Sequence, residues 1–218
     1  MAEFETWRAG GSRLKAGNRS WGKCSVSDQF PEGPFGCILA DPPWAFETYS
    51  GDLRAPTHGA AGGPYGVTTT QDLMALPVEA AAAKDCALFM WVIDSHMEQA
   101  LELGRAWGFE FKTCAFVWVK SKPGGWAVPG MGYWTRKQTE QCWLFKRGSP
   151  RRQSMGVEQI IHCPRGAHSA KPDLTYERIE ALVGGPYLEM FARSERPGWT
   201  AWGNEVGGRD GPLERAWR

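Results

Sequence analysis

The sequence lacks several features that would assign its class at once. Its longest run of hydrophobic residues is Cys86–Ile93, far short of the ~20 residues that span a bilayer. The opening stretch, MAEFETWRAGGSRLK, has no apolar segment of the kind a secretory signal needs. Together these absences predict a cytoplasmic protein with no membrane partner. The six cysteines, at 24, 37, 86, 114, 142 and 163, form no C-x-x-C pair. In that compartment they read as buried thiols, not disulfides. The four histidines show no ligand spacing. His162, Cys163 and His168 come nearest, but no second ligand pair accompanies them, so no metal site is expected. Internal repeats and low-complexity segments are also missing. A net charge of +1 excludes a strong overall field for a polyanion.

What is present suits a globular chain. At 218 residues, 42% hydrophobic and 22% charged, it can bury a core without staples. The neutral total conceals two basic segments. Residues 8–23 hold Arg8, Arg13, Lys15, Arg19 and Lys23 with no acid, and residues 118–153 hold eight basic side chains against one acid, Glu140.

Periodicity divides the chain into an irregular basic arm (1–34), one α/β domain (35–206) and a tail (207–218). Phe35–Ala40 is an apolar run stopped by a double proline, which predicts a buried strand followed by a loop. Residues 45–69 are rich in Gly and Pro and predict a long functional loop. A helix is expected over Thr70–Lys84, broken at Pro77. Ala87–Ile93 is continuously apolar, as in a strand covered on both faces. Ser95 and Glu98 make a capping box for the helix carrying Met97, Ala100, Leu101 and Gly104. Strands are expected at Phe111–Val119, Gln141–Phe145 and Ile160–Ile161, with a second Gly-rich loop over 121–138. A helix opens at Pro172 and Asp173, with Gly184 as its C-cap. Tyr187–Ala192 and Thr200–Gly203 close the sheet. Alternating strands and helices predict an α/β sandwich with a largely parallel sheet, whose ligands bind at strand carboxyl ends. Asp41 and Arg193 lie at two such ends.

The sharpest feature is Asp41-Pro42-Pro43-Trp44, a tetrapeptide expected by chance in about one chain of this length per few thousand. It also has a plain reading: a proline turn with Trp44 as a core plug. The chemistry it suits is methylation of an exocyclic amine on a base. The lone pair of such an amine is delocalised into the ring. Two acceptors aimed at its two N–H groups, the Asp41 carboxylate and the next carbonyl, would pull the nitrogen toward a tetrahedral shape. Pro42 and Pro43 stiffen the loop, and Trp44 offers a flat face for the base. With S-adenosylmethionine as donor, the step is an in-line displacement that depends on positioning and electrostatics.

At this point the chain resembles the DPPW amino-methyltransferases typified by the catalytic subunit of the eukaryotic mRNA N6-adenosine methyltransferase. It is most similar to their short bacterial and phage members. The likeness runs from Phe35 to Glu205. It rests on Asp41–Trp44, on Pro64-Tyr65-Gly66 through Leu76-Pro77, on the Ala87–Ile93 strand and on Glu140 within TRKQTEQCWLFKRG. It continues through HSAKP (His168–Pro172) with Tyr176 and Glu180, then Phe191-Ala192-Arg193 and Trp202-Gly203-Asn204-Glu205. The motif order is permuted, with the catalytic loop early and the cofactor segments late. That order accounts for the absence of G-x-G-x-x-G after the first strand.

The resemblance implies a Rossmann-like, S-adenosylmethionine-dependent sandwich of the permuted β class that methylates N6 of adenine. It puts Asp41, Lys171, Phe191, Arg193, Asn204 and Glu205 on the cofactor, where Glu195 departs from the family pattern but can still accept from ribose hydroxyls, and it puts Tyr65 and Glu140 on the substrate. The residues themselves add Trp44 as a face for the base, and Arg136 and Lys137 in the basic segment 118–153, whose charges are interleaved with Trp118, Trp126, Tyr133, Trp134 and Trp143 as in a nucleic-acid groove. The resemblance also implies a nucleic-acid partner, DNA ahead of RNA, and a homodimer, since subunits pair in this family. A catalytically silent nucleic-acid-binding scaffold is the competing class. Where the eukaryotic enzymes carry Pro-His-Asn after the Arg, this chain has Ser194-Glu195-Arg196, and Glu205 stands in place of an amide. Several of these residues have structural readings as well: Glu140 as an ion pair, Lys171 as a solvated cation, Tyr65 as a brace for a turn.

Overall fold

The apolar run after residue 34 forms the centre of the molecule. In the computed structural model, which describes residues 30–44, 69–122, 125, 127–130, 132, 134–164, 170–203 and 206, Phe35–Ala40 is strand β1. Its neighbours are β2 (Ala82–Val92) and β6 (Tyr187–Met190), both parallel to it. With β3 (Glu110–Ser121), β4 (Thr139–Arg147), β5 (Ile160–Pro164) and β7 (Trp199–Trp202) the sheet has seven strands in the order β5-β3-β4-β2-β1-β6-β7. The expected parallel sheet is there with one exception: β4 runs antiparallel to both β2 and β3. The chain leaves β1 toward β2 on one side and returns to β6 on the other. The carboxyl end of β1 is therefore a topological switch point, where open α/β sheets leave a crevice.

Two apolar layers explain why β1 and β2 read as continuous hydrophobic runs. Ile38, Ala40, Leu88 and Met90 face one core, together with Leu103 and Trp107 of the helical layer. Cys37, Leu39, Phe89 and Trp91 face the other, with Phe116, Trp118 and Ile179. Phe30 joins the first core and meets Trp202 edge-on at 4.7 Å. The rest of the expected basic arm, residues 1–29, lies outside the described residues, as does the tail. No helix of the described residues is long and apolar enough to cross a membrane. The described cysteines 37, 86, 114, 142 and 163 are free thiols, and burial pushes the Cys37 and Cys142 thiols well up.

Three helices and one strand differ from expectation. Thr70–Lys84 breaks at Pro77 as expected, into α1 (Thr70–Met74) and α2 (Val78–Ala81), but it ends early: Ala82–Lys84 already belong to β2. The alanine run favours helix, but Ala82 pairs with Phe35 in the sheet, and tertiary pairing overrides propensity. The Ser95–Glu98 capping box does not form. Asp94–His96 is a 3₁₀ turn leading into α3 (Met97–Ala106), and Ser95 Oγ turns to His96 Nδ1 at 2.9 Å. A capping box closes instead at Thr69 and Asp72, ahead of α1. Helix α4 (Asp173–Leu182) ends at Val183 in an extended conformation rather than through Gly184. The Gln153 N–H donates to the Leu182 carbonyl at 2.8 Å, which satisfies that terminus without a left-handed cap. Finally β6 stops at Met190, because Phe191 adopts φ 61° and a left-handed residue cannot continue the ladder.

Candidate active site

Asp41 follows β1 directly, at the switch point. The next residues are held tightly: the Trp44 N–H donates to the Pro42 carbonyl at 2.8 Å, and the Trp44 indole N–H donates to the Trp91 carbonyl at 3.2 Å. Trp44 is only 8% exposed and packs in the core, with His96 at 5.7 Å. This corrects the expectation that Trp44 offers an open face to a base. Its indole anchors the tetrapeptide to β2 and fixes the direction of Asp41.

Lys171 sits just before α4, 130 positions from Asp41, and its Nζ donates to Asp41 Oδ2 at 2.5 Å. The same ammonium lies 3.6 Å from Glu140 Oε2 on β4 and 5.3 Å from the Trp91 ring centre. Glu140 also accepts from Lys120 Nζ at the end of β3, and that ammonium lies over Trp118 at 5.2 Å. The result is a line of four alternating charges, Asp41–Lys171–Glu140–Lys120, drawn from four elements. Three of its side chains are 12–17% exposed, while Asp41 is 30% exposed.

The pKa directions follow from this line. Burial alone would lower the Lys171 value, but the Asp41 and Glu140 carboxylates outweigh it and hold Lys171 above the ordinary lysine range. Burial would raise Glu140, yet the Lys171 and Lys120 ammoniums bring it below the ordinary carboxylate value. A depressed acid contributes stability that is present above its unfolded pKa and lost as pH falls through its folded one; a raised lysine contributes stability that is lost as pH rises through its folded one. The stabilisation from Glu140 and Lys171 is therefore fully present between about pH 5 and about pH 10. We expect Glu140→Gln to have a lower Tm than the parent at neutral pH, and the gap to close below about pH 4. A gap independent of pH down to about pH 3 would show that the Glu140 charge contributes nothing to stability.

The other expected residues divide three ways. Arg193 is exposed and close enough to Lys171 that its charge opposes the lysine's, and Glu195 is exposed nearby in the chain. Phe191 is 5% exposed with its ring 5.8 Å from Trp202. Its left-handed backbone turns the chain at the end of β6, ahead of Arg193. On the substrate side, Arg136 is exposed, whereas Lys137 pairs with Asp94 Oδ2 at 3.1 Å. Tyr65, Asn204 and Glu205 lie outside the described residues, as do His168 and the loop 45–68.

The structure adds residues that sequence reasoning passed over. Lys120 ends an apolar strand run, FVWVK, and its charge at that position was the available signal. Glu189 is an acid inside the apolar strand β6. It accepts from the Tyr176 hydroxyl at 2.7 Å, and burial raises its pKa despite that bond and despite Arg196. Arg196 in turn covers the Tyr176 ring at 3.9 Å and pairs with Asp173. Tyr176 faces the Asp41 side of the sheet, and burial raises its pKa strongly.

A seven-stranded sheet with one reversed strand, a first strand ending in Asp41, and a late lysine folded back onto it fit a Rossmann-like methyltransferase sandwich with permuted order. The chain belongs to the MT-A70 family, whose pattern matches residues 35–205. It is 33% identical over 196 residues to the type II methyltransferase M.MunI of a Mycoplasma species, covering 83% of this chain and 82% of that protein. It is 29% identical over 182 residues to the human N(6)-adenosine-methyltransferase catalytic subunit METTL3, covering 81% of this chain but 29% of the relative. With the mouse N(6)-adenine-specific methyltransferase METTL4 the identity is 28% over 188 residues, covering 79% of this chain and 37% of the relative.

Proposed function

We propose that this protein transfers a methyl group from S-adenosylmethionine to N6 of adenine in nucleic acid, with Asp41 at the reacting centre. The single observation that carries this reading is the Asp41–Lys171 pair at the carboxyl end of β1. Lys171 occupies Oδ2, which leaves Oδ1 to accept one N–H of the adenine amine. The Pro42 carbonyl, bonded once by Trp44, retains a second lone pair for the other N–H. Held by two acceptors, the nitrogen directs its lone pair along one line, so that orientation does most of the work.

The donor set suits the cofactor. S-adenosylmethionine supplies an electrophilic methyl on a sulfonium, and its amino-acid end carries both charges. Lys171 would hold its carboxylate, Asp41 would stabilise the sulfonium, and Arg193 with Glu195 would reach the ribose. The Trp91 Nε1 is buried, has no hydrogen-bond partner among the described residues and belongs to the ring beneath Lys171.

DNA is the first choice of polymer and RNA the second. The chain shares its compact length with the Mycoplasma type II methyltransferase. The Cryphonectria parasitica relative named an N6-methyladenosine RNA methyltransferase is longer, with 55% of it covered. Basic residues on β3, β4 and the segment between them would follow the phosphates, and Trp134, 90% exposed, would stack on an unpaired base. In duplex DNA the adenine must flip out to reach Asp41.

The test is methyl transfer from labelled S-adenosylmethionine to matched single-stranded DNA, duplex DNA and RNA, with nucleoside analysis of the product. Methyl on adenine N6 in one polymer supports the reading and selects the substrate. Cofactor binding without transfer to any of them favours the scaffold class. Arg136→Glu is expected to weaken nucleic-acid binding by about ten-fold at low salt, to flatten its salt dependence and to leave cofactor affinity unchanged. Arg136 is the cleaner probe, because reversing Lys137 would also break its pair with Asp94. Unchanged binding of the polymer by Arg136→Glu would remove that segment from the groove.

A further inference from the structure

The charge line has an end that the proposed chemistry does not use. Lys120 touches neither Asp41 nor Lys171, yet it holds two things together. Its side chain pairs with Glu140. Its backbone carries both described ends of the Gly-rich segment between β3 and β4: the Val128 N–H donates to the Lys120 carbonyl at 2.7 Å, and the Lys120 N–H donates to the Gln138 carbonyl at 2.9 Å. The Gly130 N–H closes the same segment onto the Lys137 carbonyl at 2.7 Å, and Lys137 pairs with Asp94 just beyond β2.

Consider Glu140 without Lys120. It is 15% exposed, with Lys171 at 3.6 Å as its remaining ion-pair partner and only the more weakly felt Lys137 charge besides, while Lys171 is already bound to Asp41 at 2.5 Å. A carboxylate this buried is costly without a counter-charge. Lys171 would be drawn toward Glu140 and away from Asp41.

We propose that Lys120 is a positioning residue for methyl transfer: by neutralising Glu140 it keeps Lys171 on Asp41, and through its backbone it links that state to the basic segment that meets nucleic acid. The proposal rests on the functional reading above and goes beyond it, since Lys120 touches neither reactant.

The experiment compares Lys120→Met, Lys120→Arg and Glu140→Gln in the full chain. The assay uses labelled S-adenosylmethionine and a duplex DNA library with adenine in randomised flanks. Misplacing a reacting group by about 1 Å costs about 100-fold, so Lys120→Met should lose about that much in kcat, and KM for S-adenosylmethionine should rise with it because the displaced Lys171 also faces the cofactor. Lys120→Arg, which keeps the charge, should recover most of the loss. A residue with only a structural role would lower Tm and leave kcat at saturation alone. Unchanged kcat in Lys120→Met, or a Lys120→Arg variant as slow as Lys120→Met, overturns the proposal. If Lys120→Met does not fold, the double variant Lys120→Met/Glu140→Gln decides. With both charges gone it should be no slower than Glu140→Gln alone, and a further loss overturns the proposal. A crystal structure of Lys120→Met needs no substrate and reads Lys171 directly. Movement of Nζ from Asp41 to Glu140 supports the proposal and an unmoved Nζ overturns it, even if the parent methylates no polymer offered.

Discussion

Replacing Asp41 with Ala is expected to reduce methyl transfer by at least about 10³-fold while leaving the fold in place. The carboxylate is asked to do two things: accept an amine N–H and set an anionic site at the end of β1. Alanine removes both. The fold survives because Lys171, which loses its partner at 2.5 Å, keeps Glu140 at 3.6 Å. The penalty is then smaller than the ~3–5 kcal/mol of a buried charge left wholly unpaired. Asp41→Asn separates the two roles, since it keeps a carbonyl acceptor and discards the charge; its activity should fall between parent and Asp41→Ala. The check is single-turnover transfer from labelled S-adenosylmethionine beside thermal unfolding of each variant. A Tm near the parent with activity within about ten-fold of it would remove Asp41 from the reacting centre.

Lys171→Met is expected to lose both cofactor binding and transfer. Truncating one partner of a buried, hydrogen-bonded charge pair costs about 2 kcal/mol or more, which is at least ~30-fold in Kd. Methionine keeps the length and apolar contact over Trp91, where the ammonium lies 5.3 Å from the ring centre, and removes only the charge and its donors. Asp41 then loses the cation that neutralises it, while Glu140 retains Lys120. Lys171→Arg should not restore activity, because a planar guanidinium cannot reproduce a compact ammonium shared between two carboxylates. Isothermal calorimetry with S-adenosylmethionine measures the first effect and methyl transfer the second. Parent-like affinity in Lys171→Met would assign the lysine to the charge line alone and take it off the cofactor.

These two residues show how far local pattern reaches. A strand that ends in Asp-Pro-Pro is visible because apolar runs, prolines and a terminal acid are adjacent in sequence. The same holds for β2, whose apolar run marks a strand covered on both faces, and for the helix opening after Pro172. Other features depend on distance. The reversal of β4 was not legible, since a short apolar segment such as Gln141–Phe145 reads the same in either direction; only its pairing with β2 and β3 decides it. The alanines at 82 and 83 favour helix by themselves and become strand because Phe35 lies beside Ala82.

The site divides along the same line. The chemical inventory, a strand-end carboxylate, a lysine before a proline and a glutamate amid basic neighbours, stands in the residues themselves. Which groups meet was decided by tertiary structure: Lys171 reaches Asp41 across 130 positions, Lys120 reaches Glu140 across 20, and Trp44 is drawn inward by the Trp91 carbonyl 47 positions away. The physical reason is that secondary structure and strand ends arise from short-range sterics and hydrophobic period. Charge pairing and burial depend on which strand ends the sheet order brings side by side, and that order is a property of the whole packed core.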